Sequence, residues 1–373
     1  MRILYFSRDY TPHDYRFLDT LAKSEHQIYY LRLENDRRVQ ERRPLPSAIE
    51  EISWQGGRRK MHLTDGPSLV FSLRHVFGEV NPDLVQAGPV QQGAFLTALA
   101  GYKPLVTMSW GSDLLVNAAR GVGRWAAKYT LARSNVLICD CQTVSIAAQQ
   151  LGMPPERIVA FPWGIDIRHF TPGGDRGLRA RLGWEDNFVL LSTRSWEPIY
   201  GIEILVAGFI QAAQANPNLR LLMLGGGSLQ PRIEAMLDKL GMLKFVHFAG
   251  QVDYPDLPAH YHAADLYLSA SRSDGTSISL LEAFACGLPV VVSDIPGNRE
   301  WVESGVNGWL FPDGDKVGLA NFIITACQTD LERYEYGKAN RLVAERRADW
   351  KRNSKSLLMA YELAAATRRM VDG

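Results

Sequence analysis

The sequence predicts an α/β protein built as two doubly wound, parallel-sheet units, and three observations carry that reading. Short β-branched and aromatic runs alternate with helix-period segments almost from end to end, the pattern of strand–crossover–strand units. At 373 residues the chain is longer than one hydrophobic core organises. The alternation breaks once, at Pro162-Trp163-Gly164-Ile165-Asp166, and restarts after Pro172-Gly173-Gly174, which reads as a linker.

Taken in order, the expected strands of the first unit, residues 1–165, are Arg2–Phe6, Gln27–Leu33, Asp83–Gln86, Pro104–Met108, Val136–Cys139 and Ile158–Phe161. Helices are expected around Phe17–Ala22, Leu69–Gly78, Gly93–Ala100 and Ser145–Leu151, where apolar residues recur at helical spacing. The second unit, 166–349, repeats the scheme with strands Phe188–Ser192, Arg220–Leu224, Val246–Phe248, Leu266–Leu268 and Val290–Val292. The segment from about Trp350 to Arg369 reads as one long helix.

Composition narrows the function. Hydrophobic residues make up 46% of the chain and the formal net charge is +1, so no nucleic-acid footprint is present. No apolar run approaches the roughly 20 residues that a membrane-spanning helix requires. Met1-Arg2-Ile3-Leu4-Tyr5-Phe6 reads as a buried strand and not a signal peptide, because no long apolar region or small-residue cleavage site follows. Cys139, Cys141, Cys286 and Cys327 form neither a disulfide framework nor a Cys-x-x-Cys pair, and the expectation is a reduced, cytoplasmic protein. Arg37, Arg38, Arg42, Arg43, Arg58, Arg59 and Lys60 cluster around Trp54. They are either a solvated face or an interfacial surface, in region 37–60, that meets anionic lipid or a lipid-linked acceptor at the inner face of a membrane.

The chemistry concentrates at Ser273-Asp274-Gly275-Thr276-Ser277-Ile278-Ser279-Leu280-Leu281-Glu282. A small-residue turn opens an apolar helix, leaving backbone N–H groups that, with the helix dipole, form an anion site. Asp274 lies in the turn and Glu282 between one and two helical turns further on. The pair suits a ligand with phosphate in the middle and hydroxyl-rich rings on either side, which describes a nucleotide sugar. Losing the nucleotide from a sugar diphosphate builds negative charge on the departing phosphate, so preorganised cations and N–H dipoles are required there. Arginine matches phosphate oxygens bidentately, and Arg194 stands directly after the strand Phe188–Ser192, at its carboxyl end.

From Ser273 to Gly308 the chain resembles the signature region of the retaining glycosyltransferases of family 4, whose mark is Glu-x7-Glu. Asp274 departs from the first Glu and Glu282 keeps the second. Ala285-Cys286-Gly287-Leu288-Pro289-Val290-Val291, Gly297-Asn298-Arg299-Glu300 and Gly305-Val306-Asn307-Gly308-Trp309-Leu310 also fit. The resemblance implies the GT-B architecture, two Rossmann-like domains facing across a cleft, with the C-terminal helix packing back on the first domain. It implies that Glu282 binds the ribose diol and that Asp274 accepts from sugar hydroxyls. The N–H groups of Gly275, Thr276, Ser277 and Ile278 would cradle phosphate and sugar.

Further roles follow from the same resemblance. Family members carry Gly-Arg and then Lys-Gly after the strand that Arg194 follows; here Tyr200 replaces the Lys, and Arg8, Arg16 or Arg272 could supply the missing charge. A Gly-Gly pair in the first βα loop is replaced by Tyr10-Thr11-Pro12-His13-Asp14-Tyr15-Arg16, so His13 or Arg16 would have to act instead. Gly225-Gly226-Gly227-Ser228 matches the family's loop near the nucleotide, with Gly226 lining the site, and Gly250-Gln251-Val252 puts Val252 beside the base. Trp110 stands where the family has a sugar-contacting His, as a flat wall for a sugar or as a packing residue, and Asp113 is a cleft carboxylate candidate with a catalytic role.

The expected activity is metal-independent, retaining transfer of a sugar from a nucleotide diphosphate sugar, UDP-sugar favoured, to an acceptor hydroxyl on a carbohydrate or lipid-linked molecule. No cofactor is implied. Asp313-Gly314-Asp315 reads as a turn, not a metal box. The rival reading is a non-catalytic nucleotide-sugar-binding or partner subunit of the same fold. A dinucleotide-binding dehydrogenase is disfavoured, since no Gly-x-Gly-x-x-Gly follows the first strand.

Overall fold

The runs of Ile, Leu, Tyr and Phe in Arg2–Ser7 (β1) and Gln27–Arg32 (β2) are buried along nearly their whole length, as both faces of a parallel sheet require. The computed structural model describes residues 1–35, 41–174 and 177–372 and separates them into two units, 1–162 with 352 onward, and 163–351. In the first unit β1 and β2 are joined by Ile49–Glu51 (β3), Leu84–Ala87 (β4), Leu105–Met108 (β5), Val136–Cys139 (β6) and Ile158–Ala160 (β7). All pair in parallel, in the order β3-β2-β1-β4-β5-β6-β7. β3 is absent from the sequence reading; it is a three-residue edge strand with only Ile49 turned inward.

The second unit holds Phe188–Ser192 (β8), Leu219–Leu224 (β9), Val246–Gly250 (β10), Leu266–Ser269 (β11), Val290–Ser293 (β12) and Trp309–Phe311 (β13). Their order is β10-β9-β8-β11-β12-β13, again wholly parallel. In each unit the strand order reverses beside its first strand. The reversal opens a crevice at the carboxyl ends of β1 and β4 in one unit, and of β8 and β11 in the other, where ligands bind in doubly wound sheets.

β13, like β3 a three-residue edge strand, is absent from the sequence reading, and two further stretches differ from it. The C-terminal segment is not one helix: Trp350–Asn353 is a short helix, and Lys355–Asp372 begins after a turn at Ser354. The longer helix buries Leu357, Ala360, Tyr361 and Ala364, and the Tyr361 hydroxyl donates to Gln86 on β4, which fixes it to the first sheet. The basic region is also rearranged. Trp54 is a core residue, edge-on to Phe6 at 5.5 Å and donating to the Arg32 carbonyl at 2.7 Å. Arg43 pairs with Glu41 at 2.6 Å and lies 3.8 Å over the Tyr15 ring, while Arg59 pairs with Asp65 at 2.9 Å. Arg37 and Arg38 lie outside the described residues.

The helix Pro12–Leu21 begins with a capping box: Asp14 accepts from the Thr11 N–H at 3.0 Å, and its own N–H meets the Thr11 hydroxyl. The Tyr5 phenol donates to the same carboxylate at 3.0 Å. Asp14 is fully buried, and burial pushes its carboxyl up from 3.8 to about 7 against these hydrogen bonds. A raised folded-state value binds a proton more tightly than the unfolded chain does. Its stabilising contribution is therefore complete below about pH 4 and lost as pH rises through about 7, on the order of 4 kcal/mol. Urea unfolding of the native chain should show that fall between about pH 4 and 7.5, and subtracting the Asp14→Asn profile should isolate it. Identical pH slopes in both proteins would contradict the assignment.

Candidate active site

The residues that converge in the second unit come from the ends of adjacent strands. Arg194 follows β8, and Asp274 follows β11, β8's neighbour in the sheet. Arg194 is almost wholly buried and aims its guanidinium across the crevice: Nη2 donates to Asp274 Oδ2 at 2.6 Å, and Nη1 to Ser277 Oγ at 2.9 Å and Ser279 Oγ at 3.3 Å. Burial works against the arginine's charge, and Asp274, with Tyr200, Tyr267 and Tyr261 around it, more than restores it. The same burial raises the Asp274 carboxyl, with Arg194 opposing.

The helix Ile278–Ala285 opens at Ser277, an N-cap residue type. No side-chain cap bond forms, because the Ser277 hydroxyl accepts from Arg194 instead. The first-turn N–H groups therefore face the crevice without a side-chain cap, next to a buried arginine. That arrangement has the charge and the donors to take an anion.

Gly275, Thr276 and Ser277 are buried in the turn, and Gly297 packs against its backbone so tightly that a Cβ there would stand 2.4 Å from the Asp274 carbonyl. Gly201 similarly faces the Ala270 carbonyl at 1.9 Å from an added Cβ, with a positive φ of 58°, so the chain after Tyr200 passes hard against the end of β11. Tyr200 itself does not imitate a lysine. Its ring lies 4.1 Å from the Arg194 guanidinium, forming a cation–π support. Tyr200→Ala should lower donor turnover about five- to thirty-fold by loosening that guanidinium, a loss that steady-state kinetics would read; unchanged turnover would remove Tyr200 from the site.

Glu282 is buried one to two turns into the helix and accepts from the Tyr261 hydroxyl at 2.6 Å. Tyr261 also meets Thr193 at 3.3 Å, and the Tyr267 hydroxyl meets Ser279 at 2.8 Å. Burial, reinforced by Glu282, holds Tyr261 well above its usual value, so the phenol is a permanent donor. Sequence reasoning missed Tyr261, Tyr267 and Ser279. They tie the Glu282 and Arg194 ends of the site together, and no local motif announces a hydrogen bond between residues 261 and 282.

The loop Gly225-Gly226-Gly227-Ser228, after β9, is tied to the Arg194 loop: Trp196 N–H donates to the Gly226 carbonyl at 3.0 Å, and Ser228 N–H to Glu197 at 2.8 Å. A Cβ at Gly227 would stand 2.5 Å from the Trp196 carbonyl. Gly225 N–H donates to the Gly250 carbonyl at 2.6 Å, which links the start of Gly250-Gln251-Val252 to the same rim. Val252 is half-buried against the second unit's core. Arg272 is mostly exposed and faces Asp313 at 3.7 Å, while Asp315 caps the helix Lys316–Gln328.

In the first unit, His13 and Trp110 meet edge to face at 5.4 Å near the ends of β1 and β5. His13 and Arg16 lie on the first turns of the helix Pro12–Leu21 and not in a loop, since the capping box starts that helix early. Arg8 pairs with Glu34. The Asp113 carboxylate is buried, with Oδ1 accepting from Ser109 Oγ at 2.6 Å, Trp110 N at 3.1 Å and Leu114 N at 3.0 Å, and Oδ2 from Val90 N at 3.0 Å. These donors fasten the turn after β5 to the segment after β4, a positioning role that the sequence reading did not include.

Residues 176–353 match the family model described as glycosyl transferases group 1, and residues 13–169 match glycosyltransferase family 4. The chain belongs to glycosyltransferase family 4. A D-inositol 3-phosphate glycosyltransferase of Geodermatophilus obscurus is 33% identical over 60% of this chain and 52% of its own length. A phosphatidyl-myo-inositol mannosyltransferase of Mycobacterium leprae is 29% identical over 57% and 56%. This family 4 chain thus spans about half the length of these curated relatives it matches. The structure of Anabaena HepE in complex with UDP and glucose superposes with a TM-score of 0.81 at 22% identity, covering 97% of this chain and 99% of that one. That likeness establishes the fold, two Rossmann-like units of the GT-B type.

Proposed function

We propose that this family 4 chain is a retaining, metal-independent glycosyltransferase that moves a sugar from a nucleoside diphosphate sugar to an acceptor hydroxyl in glycolipid or polysaccharide synthesis. The observation that carries the reading is Arg194, buried and hydrogen-bonded to Asp274, Ser277 and Ser279 at the uncapped start of the helix that bears Glu282. The diphosphate lies against Arg194 and the helix N–H groups, and the ribose diol on Glu282. Asp274 exchanges one arginine contact for sugar hydroxyls. As the anomeric C–O bond breaks, the acceptor oxygen attacks from the same face, and its proton passes to the departing phosphate oxygen. Arg194 and the helix dipole stabilise the charge that grows there, the part a divalent cation plays elsewhere. Uridine is the favoured base, by analogy with the UDP bound to HepE. The relatives' inositol-containing names suggest a lipid-linked or polyol acceptor.

The test is release of nucleoside diphosphate from UDP-, GDP-, ADP- and dTDP-sugars in EDTA, with and without candidate acceptors. Turnover with one donor supports the reading, and dependence on added metal contradicts its metal-independent part. One observation favours a second reading, a non-catalytic nucleotide-sugar binder: Tyr200 adds no charge, and Arg194 is already paired with Asp274. Donor binding without turnover, unrelieved by Tyr200→Lys, would establish that alternative.

A further inference from the structure

We propose that a face of the first unit, formed by the helix Gly121–Arg133, the turn before it and the helix Gln142–Gln150, docks on an anionic phospholipid bilayer. The inference is independent of the donor site and lies outside the basic region 37–60. Hydrophobic side chains stand open on this face: Val122 is 81% and Trp125 56% exposed, with Val116 and Ile146 also exposed. Beside them runs a groove of about 340 Å³ lined by Leu114, Leu115, Ala118, Ile146 and Leu151, with Arg124 at its wall. Its apolar floor and cationic wall suit the junction between a lipid headgroup and its chains.

Charge identifies the partner. Between Leu114 and Leu151 the chain carries Arg120, Arg124, Lys128 and Arg133 but one carboxylate, Asp140, which is buried. Trp125 and Tyr129 lie tilted against each other at 5.6 Å, Phe95 stands edge-on to both, and the Arg133 guanidinium lies 3.6 Å over Tyr129. An exposed indole and a half-buried phenol set among arginines and lysines, with aliphatic tips beyond them, match the boundary between headgroups and acyl chains. A second copy of the chain would bring four like charges against four in a two-fold contact. A nucleic acid would use the cations but leave Val122 and Ile146 in water.

The test is sedimentation of the full chain with phosphatidylcholine vesicles, with and without phosphatidylglycerol, at about 0.1 M salt. The native protein should bind only the anionic vesicles. Arg124→Glu/Lys128→Glu and Val122→Ser/Trp125→Ser should each need at least tenfold more lipid for half-binding, with unchanged melting temperatures. Arg58→Glu/Lys60→Glu should shift binding less than twofold. Absence of native binding to anionic vesicles, or a loss produced by the 58/60 variant and not the 124/128 variant, would overturn the proposal. So would a dimer in light scattering that Val122→Ser/Trp125→Ser dissolves, since the face would then belong to a second copy.

Discussion

Replacing Arg194 with Ala is expected to reduce sugar transfer about a hundred- to a thousand-fold, because in the proposed mechanism the group removed is the largely buried cation that meets charge developing on the departing phosphate. The loss should fall on kcat more than on the donor's KM, since the interaction strengthens as the phosphate gains charge. Arg194 is also the partner of a buried carboxylate, and Asp274 would be left uncompensated. That alone could destabilise the unit by about 3 kcal/mol or more. The double variant Arg194→Ala/Asp274→Asn separates the two effects: it should recover much of the lost melting temperature and none of the turnover. If the double variant regains transfer, Arg194 acts through stability and not through the phosphate.

Glu282→Gln should raise the donor KM about ten- to a hundred-fold with a smaller change in kcat, because the proposed contact with the ribose diol would be made equally in the ground and transition states. The amide keeps an acceptor for the Tyr261 hydroxyl, so the fold should survive. Tyr261→Phe should reproduce a fraction of the same KM effect, as its phenol fixes one carboxylate oxygen and thereby the direction of the other. Donor kinetics on the two variants test this directly. A Glu282→Gln enzyme with native KM would remove the ribose from this carboxylate.

Much of this was legible before the structure because it is local. The strand–helix alternation, the two winding units and the Asp274–Glu282 turn all lie within short windows, and β8 and β11 end where the apolar runs end. The failures are long-range or minimal. β3 is three residues with a single buried position, too short for an alternation to register. Ser354 interrupts the C-terminal helices without a Gly or Pro to mark it. The fastening role of Asp113 was also missed, although an Asp shortly after a glycine in a turn is the type that ties up neighbouring N–H groups, and that signal could have been weighed. Tyr200 was read as a lost charge. That its ring supports Arg194 depends on side-chain packing that no spacing encodes. Tyr261 lies in the short helix Leu257–His262, before β11, and Glu282 in the helix after it, so no single local motif joins them.

The most direct test of the donor site is calorimetric titration of the native chain and of Glu282→Ala with UDP, GDP, ADP and dTDP, all in EDTA. The expected result is one nucleotide binding the native chain without metal and losing at least tenfold in affinity in the variant. Binding by none of the four to a folded native chain, or equal affinity in both proteins, would contradict the assignment of nucleotide to Arg194, the helix Ile278–Ala285 and Glu282.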